Sequence, residues 1–516
     1  MTRFLPRPLL LCVLLASCDG CGTDDSDPGS FDAGPPLRCE RPDAGPYDSG
    51  LPPLDLPPTS GEWVPEVTHL PHGDCDDWPP VRPMRPPPPD TEWEVLWSWR
   101  LPPWGDPIWR ERTDFEVPRI IRDGANVAVT SDRIYVPMGD TGGVAALSHD
   151  GRLLWGRNLP GRWGPDTEDD GLDDDRLTSP PVATPDGDVL VASSHGRLLY
   201  YDRNGRERWR FEPGVPIVVG FTGPGPTIAL GPGGGRIYWT VAGQATLYAL
   251  NRCGEPVWRA DAPEDQGFGS LMVGADGALF TRAPDAIFRF EPNGTPTRLY
   301  DNPRNWDTQR LSLAGLHLDG SIHLQAGNPR ENPREDPWSY ATAISGRTGD
   351  IVSEVRYQAA PRETDASPTR VVAIFEPFGI VTSRTVAEPE RRLVGNWYWP
   401  GAESAFAFPA ELLPLHTLLD GGFIQVGCDR ALLIPGGAAA IDIHGIVEIS
   451  YPDTVINHLP DAGSLPEKGV LAPSGLLAIQ HGGGGVILVR TPLTPGPGWS
   501  QHRANAWNSG SLAVHP

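Results

Sequence analysis

The chain has 516 residues and a formal net charge of −24, with 42 basic against 66 acidic side chains. That balance argues against a nucleic-acid partner and against a polybasic membrane patch. Sixty glycines and sixty prolines imply many turns and an extended linker, and the length alone would suggest about three or four domains.

Residues 1–18 read MTRFLPRPLLLCVLLASC. Arg3 and Arg7 form a positive start, and Leu9 to Leu15 is an apolar core too short to span a bilayer stably. The stretch ends Leu15-Ala16-Ser17-Cys18, which resembles the bacterial lipobox. The resemblance implies a lipoprotein signal peptide at 1–18, with Cys18 acylated as the first residue of the mature chain. Several acyl chains on one residue give stable anchoring where a single chain would be marginal. The expectation is a cell-envelope protein, lipid-anchored, with the outer membrane favoured over the inner. Asp19 resembles an inner-membrane retention signal, which leaves the choice of membrane open.

Residues 19–91 are dense in Pro, Asp and Gly and poor in aliphatics, as in Arg85-Pro-Pro-Pro-Pro-Asp90. Such a segment buries too little surface to offset its ordering entropy. It reads as a disordered tether of roughly 45–50 Å reach, with short ordered pieces around Trp63 and Trp78. Of the seven cysteines, Cys12 leaves with the signal and Cys18 is lipidated. Cys39–Cys75 is the favoured disulfide, with Cys21 leaving the pairing open. Cys253 and Cys428 fall in distant repeats and are expected not to meet.

From residue 92 onward the organisation is repetitive. A short apolar strand, a tight turn and a second apolar strand recur at Val127–Pro137, Val182–Ser193, Thr227–Thr240, Leu271–Arg282, Ala314–Ala326, Val372–Ser383, Thr417–Gly427 and Val470–Gln480. Their starts lie roughly 40 to 60 residues apart, near the ~40–50 of four-stranded propeller blades. A second hairpin follows several of them and ends in tryptophan four residues after a turn glycine: Gly151 and Trp155, Gly205 and Trp209, Gly254 and Trp258. These tryptophans are expected to pack blade against blade. Glu94-Val-Leu-Trp-Ser-Trp99 looks like an outer strand with no hairpin before it, while the hairpin at 470–480 lacks a fourth strand. Pairing the two removes an open sheet edge. The expected fold is an all-β, eight-bladed β-propeller over 92–516, or seven-bladed if the weak sixth repeat merges with a neighbour.

The run SPPVATPDGDVLVASSHGRLLYYDRNGRERW, from Ser179 to Trp209, resembles the PQQ-like (quinoprotein-type) β-propeller repeat closely. The segment from Trp499 to Gly510 is similar to one that borders many such propellers. With its lipobox, the chain resembles the BamB-like scaffold lipoproteins of the outer-membrane β-barrel assembly machine. That resemblance implies a non-catalytic module that binds other envelope proteins, monomeric, with no nucleic acid. The quinone-dependent dehydrogenases of the same superfamily carry a vicinal Cys-Cys pair and tryptophan docking in every blade, and the sequence shows neither. A PQQ-dependent dehydrogenase is therefore the remoter alternative, and a carbohydrate-binding module the nearer one.

Two candidate sites remain. Asp166, Glu168, Asp170 and then Gly171 match the first half of a calcium loop, and Asp174 falls at its ninth position. Leu177 occupies the twelfth, where a bidentate Glu belongs, so calcium is an open alternative to a solvated acidic loop. Secondly, long insertions at 102–117, 160–177, 301–310, 327–339 and 387–401 follow second or fourth strands, so all should open on one face. They carry Trp104, Trp109, Trp163, Trp306, Trp338, Trp397 and Trp399. Aromatic rings on exposed loops suit recognition of proteins or sugars.

Overall fold

A computed structural model describes residues 66–69, 84–85, 87–88, 90–100, 127–138, 143–159, 177, 179–193, 196–213, 227–240, 246–262, 267–283, 286–301, 311–317, 319–326, 338–358, 370–375, 379–386, 392–398, 406–407, 425–426, 431–434, 437–442, 445–449, 466–481, 485–491, 509 and 511. The lipobox at Cys18 and the paired-cysteine candidates lie outside these residues. No α-helix occurs among them, and the strands assemble into eight antiparallel sheets.

The first sheet runs Ala128–Val129, Arg133–Met138, Gly143–Ser148 and Leu153–Asn158 in sequence order. Sheets two to seven repeat that meander, beginning at Val182–Ala183, Thr227–Leu230, Leu271–Val273, Leu311–Leu316, Arg370–Phe375 and Gln425–Val426. The inner strands are apolar on both faces, as in Val189–Ala192 and Gly143–Ser148, because each sheet is covered by the next. Fourth strands such as Glu207–Glu212 alternate buried and half-buried residues. First strands of neighbouring sheets touch along most of the series, and that of the eighth sheet touches that of the first. The first strand is thus the innermost of each sheet.

The eighth sheet closes across the chain. Pro466–Leu471, Leu476–His481 and Gly485–Arg490 supply three strands, and Glu94–Arg100 is the fourth, antiparallel to Gly485–Arg490. The weak sixth repeat forms its own sheet. The seventh differs from expectation. Its first hairpin pairs Gln425–Val426 with Ala431–Ile434, one strand later than the glycine pair at 421–422 suggested. The three apolar runs Ala431–Ile434, Gly437–Asp442 and Gly445–Ile449 already fill strands two to four, so only one strand is needed before them.

The expected tether is also shorter at its far end. Residues Glu66–His69 pair antiparallel with Glu207–Glu212 as a fifth strand on the second sheet. Met84 is buried in the main core against Ser474, and Pro87 packs beside Gly475. A proline-rich stretch can dock because each ring brings apolar surface with little rotamer entropy to lose.

One contact repeats between sheets. The fourth-strand tryptophan of one sheet lies over the turn glycine joining strands three and four of the next: Trp97 on Gly151, Trp155 on Gly205, Trp209 on Gly254 and Trp258 on Gly294. Each indole N–H donates to the carbonyl two residues before that glycine: His149 at 2.7 Å, Arg203 at 2.9 Å, Arg252 at 2.9 Å and Pro292 at 3.1 Å. From the fourth sheet to the fifth the series weakens, and Leu299 meets Gly349 instead.

Two comparisons test this architecture. Gly205 has φ +76° and an added Cβ would sit 2.5 Å from the Trp155 ring, whereas Gly187 has φ +81° and open space. Gly187→Ala should cost about 1–2 kcal/mol for its backbone alone. Gly205→Ala should cost clearly more, because overpacking adds about 1–3 kcal/mol. Equal denaturant midpoints would refute the tryptophan lock. Separately, a variant starting at residue 62 keeps Glu66–His69 and should melt like the full chain, while one starting at residue 102 loses both that strand and Glu94–Arg100 and should lose several degrees and solubility.

Candidate functional site

The connectivity assigns two faces. Turns after first and third strands lie on one face, and connections after second and fourth strands on the other. The insertions at 102–117, 160–177 and 301–310 join fourth to first strands, and 327–339 joins a second to a third. Their flanking strand ends therefore share one face. Trp104, Trp109, Trp163, Trp306 and Trp399 lie outside the described residues, as do Asp166, Glu168, Asp170 and Asp174. Among the described residues no three metal-ligating side chains gather.

Two of these tryptophans lie on described strands, and one of the two departs from expectation. Trp338 opens the third strand of the fifth sheet, Trp338–Ser345, at the insertion end. Trp397 lies within Arg392–Tyr398, opposite Val381 and Phe406, near the strand's turn end. The second strand continues to Val386, so 387–391 is a short connection and not a long insertion. Val394, Trp397 and Tyr398 are residue types that favour a strand, and the strand carries Trp397 toward its turn end, away from the insertion face.

The turn face carries charges that sequence reading did not single out. Asp132, in the first hairpin turn of the first sheet, is held by Arg133 through contacts of 2.7 and 3.0 Å and is also paired with Arg203 from the second sheet. Arg133 also donates to the Arg203 carbonyl. Asp186 of the second sheet pairs with Arg252 of the third. Arg289 joins Asp276 at 3.0 Å and Glu291 at 2.8 Å, and donates to the Gly346 carbonyl of the fifth sheet at 2.9 Å. The signal for this set was the recurring Asp in first turns and Arg before the glycine of second turns. The arrangement ties adjacent sheets together and leaves these carboxylates engaged with guanidinium groups.

Burial opposes ionisation of Asp132, but Arg133 and Arg203 outweigh it and hold the carboxyl at about 2. Asp188 shows the reverse balance. Burial dominates, and a 2.8 Å bond from the Arg203 amide and the nearby Arg208 only partly offset it, so its pKa rises to about 6. A raised folded-state pKa means the folded chain binds the proton more tightly. This contribution is therefore complete below the unfolded value of about 3.8 and is lost as pH rises toward 6. Asp188→Asn should match the wild type near pH 4 and be more stable by about 1–3 kcal/mol above pH 7, measured by urea unfolding at each pH. A difference independent of pH would show that Asp188 is not the titrating group.

Comparison with known proteins places these features. Residues 102–229 match the family model described as "Outer membrane protein assembly factor BamB". A glucosamine-6-phosphate deaminase from Mycolicibacterium smegmatis is 25% identical over 228 residues, covering 38% of this chain and 85% of that protein. Among solved structures, BamB from Moraxella catarrhalis aligns at 12% identity and a TM-score of 0.37, covering 77% of this chain and 99% of that one. Virginiamycin B lyase from Staphylococcus aureus aligns at 10% identity and a TM-score of 0.40, with the same coverage. The chain is thus an all-β propeller built of PQQ-like repeats, similar over residues 102–229 to the outer membrane protein assembly factor BamB.

Proposed function

We propose that the protein is a non-catalytic cell-envelope lipoprotein, anchored through Cys18 and held mainly at the outer membrane. Its eight sheets form an eight-bladed ring that binds or scaffolds other envelope proteins. The observation that carries this reading is the match of residues 102–229 to an outer membrane assembly factor, in a chain that opens with a lipobox-like Leu15-Ala16-Ser17-Cys18. The turn face supports it from the other side, because Asp132 and Asp186 there are engaged with arginines of the next sheet. Recognition is then the work of the insertion face. Trp104, Trp109, Trp163, Trp306 and Trp338 are its aromatic candidates, and the acidic stretch Asp166, Glu168, Asp170 and Asp174 could hold calcium beside Trp163. Aromatic side chains bring large contact area at low entropic cost, which suits a protein-binding surface.

The test is made in intact cells. Wild-type protein should incorporate labelled fatty acid, fractionate with membranes and crosslink to a defined set of envelope proteins. Cys18→Ala should lose the label and move to the soluble fraction, while Trp104→Ala with Trp109→Ala should keep the anchor and lose the crosslinks. Unchanged membrane association of Cys18→Ala would overturn the anchor, and unchanged crosslinks in the double variant would overturn the insertion face as the binding surface.

A further inference from the structure

The first and third sheets carry the same Arg-Ile-Tyr at the same place, and only the first gives it partners. The second strand of the first sheet opens Arg133-Ile134-Tyr135, and that of the third opens Arg236-Ile237-Tyr238. The register matches as well. Ala128 faces Tyr135 and Val129 faces Ile134, while Ala229 faces Tyr238 and Leu230 faces Ile237. In the first sheet both polar ends are satisfied. Asp132, the residue before Arg133, accepts from its guanidinium at 2.7 and 3.0 Å, and the Tyr135 hydroxyl donates to the Gly187 carbonyl of the second sheet.

In the third sheet the residue before the arginine is Gly235, the end of the turn Gly231-Pro-Gly-Gly-Gly235. Among the described residues no carboxylate meets Arg236, and the fully buried Tyr238 hydroxyl has no hydrogen-bond partner. The flanking first-turn carboxylates are taken, Asp186 by Arg252 and Asp276 by Arg289. Burial pulls Arg236 below its ordinary pKa, with only Tyr238 acting the other way. Burial acts on Arg133 too, but the bond to Asp132 lifts it above that value. Arg236 and Tyr238 flank one point: a Cβ built on Gly231 would lie 2.7 Å from the Arg236 Cβ and 3.4 Å from the Tyr238 Cε2. Arg236 is half-buried, and Pro232, Gly233 and Gly235 beside it are exposed, so the cation is reached from solvent. Two neighbouring donors without an acceptor favour an arriving anion.

We propose that Arg236, with Tyr238 beside it, is a carboxylate-binding site on the turn face, filled by an aspartate or glutamate side chain of another polypeptide in the place that Asp132 takes in the first sheet. The chain's own precedent names the ligand. A planar carboxylate matches the fork of a guanidinium in two parallel bonds, and Arg133 holds Asp132 in that way. Tyr238 lies deeper and offers one further donor next to the guanidinium. The site is a single anchoring point, additional to the insertion face and independent of it.

Gly235 supplies the decisive variant. Its φ is −72°, and an added Cβ would meet only the Pro232 carbonyl, at 3.6 Å. Gly235→Asp therefore fits and places a carboxylate at the position of Asp132. Binding of a fluorescein-labelled hexa-aspartate peptide to the full chain is read by fluorescence anisotropy at low salt, where charge attraction is least screened. The wild type should bind it. Arg236→Gln should weaken binding by about tenfold or more, and Gly235→Asp should do the same by filling the site from within. No binding by the wild type, or equal affinity in Arg236→Gln, would overturn the site. Melting gives a second measure that needs no peptide. Gly235→Asp should raise the melting temperature more in the wild type than in an Arg236→Gln background, and equal shifts would overturn the pairing with Arg236. Acetate at the same carboxylate concentration should leave the peptide bound, and full displacement would overturn a polypeptide as the source of the carboxylate. These readouts use neither the anchor nor the envelope crosslinks, so they hold or fail apart from the proposed function.

Discussion

The contact on which this structure depends is an indole laid over a glycine. A propeller sheet buries both faces, so each must find a partner of matching shape in the next sheet. The turn glycine presents bare backbone, and the tryptophan of the preceding sheet covers it at ring-contact distance. The same ring satisfies its own N–H on that turn's carbonyl. Packing area and a hydrogen bond thus act at one point, and a side chain on the glycine would remove both. The contact repeats from the eighth sheet through the first three, which makes adjacent sheets a cooperative run. Where Leu299 replaces the indole, the fifth sheet also exposes Ile351 and Val352 on its outer strand, so the lock is uneven around the series.

Charge does a second, more local job. Carboxylates in first-hairpin turns reach arginines of the neighbouring sheet, at Asp132 with Arg203 and at Asp186 with Arg252. Such pairs add little net stability, since solvent screens the half-exposed Asp132–Arg203 pair and desolvation offsets much of the attraction at Asp186. Asp188 shows the cost directly: it is buried near Asp186 and Asp202, and its proton is held up to about pH 6. The repeated indole contact joins the sheets along their faces, and the ion pairs join them at their turn ends.

Edges are the remaining problem of any all-β protein, and this chain answers it with its own segments. Glu94–Arg100 completes the eighth sheet and contributes Trp97 to the lock on the first. Glu66–His69 covers the outer edge of the second sheet. Ser509 and Ser511 cover inner edges of the third and fourth. Segments that flank the repeats thereby cover edges of its sheets.

The sequence by itself determined the repeat, the all-β class, the closure by residues 94–99 and the packing role of Trp155, Trp209 and Trp258. These are legible because glycine at a fixed distance from tryptophan is a local requirement, written into a few consecutive residues. The register of the seventh sheet was not legible, since two glycine turns near 421 and 436 compete and only the count of neighbouring strands decides between them. Trp397 was misplaced for a related reason: a loop and a strand can share the same residues until a partner strand fixes the pairing. The Asp132–Arg203 and Asp186–Arg252 pairs, the docking of Met84 and the burial of Ser509 and Ser511 were decided only by tertiary structure. Each joins residues far apart in the chain, and no local pattern records which distant group a folded backbone will bring within hydrogen-bond reach.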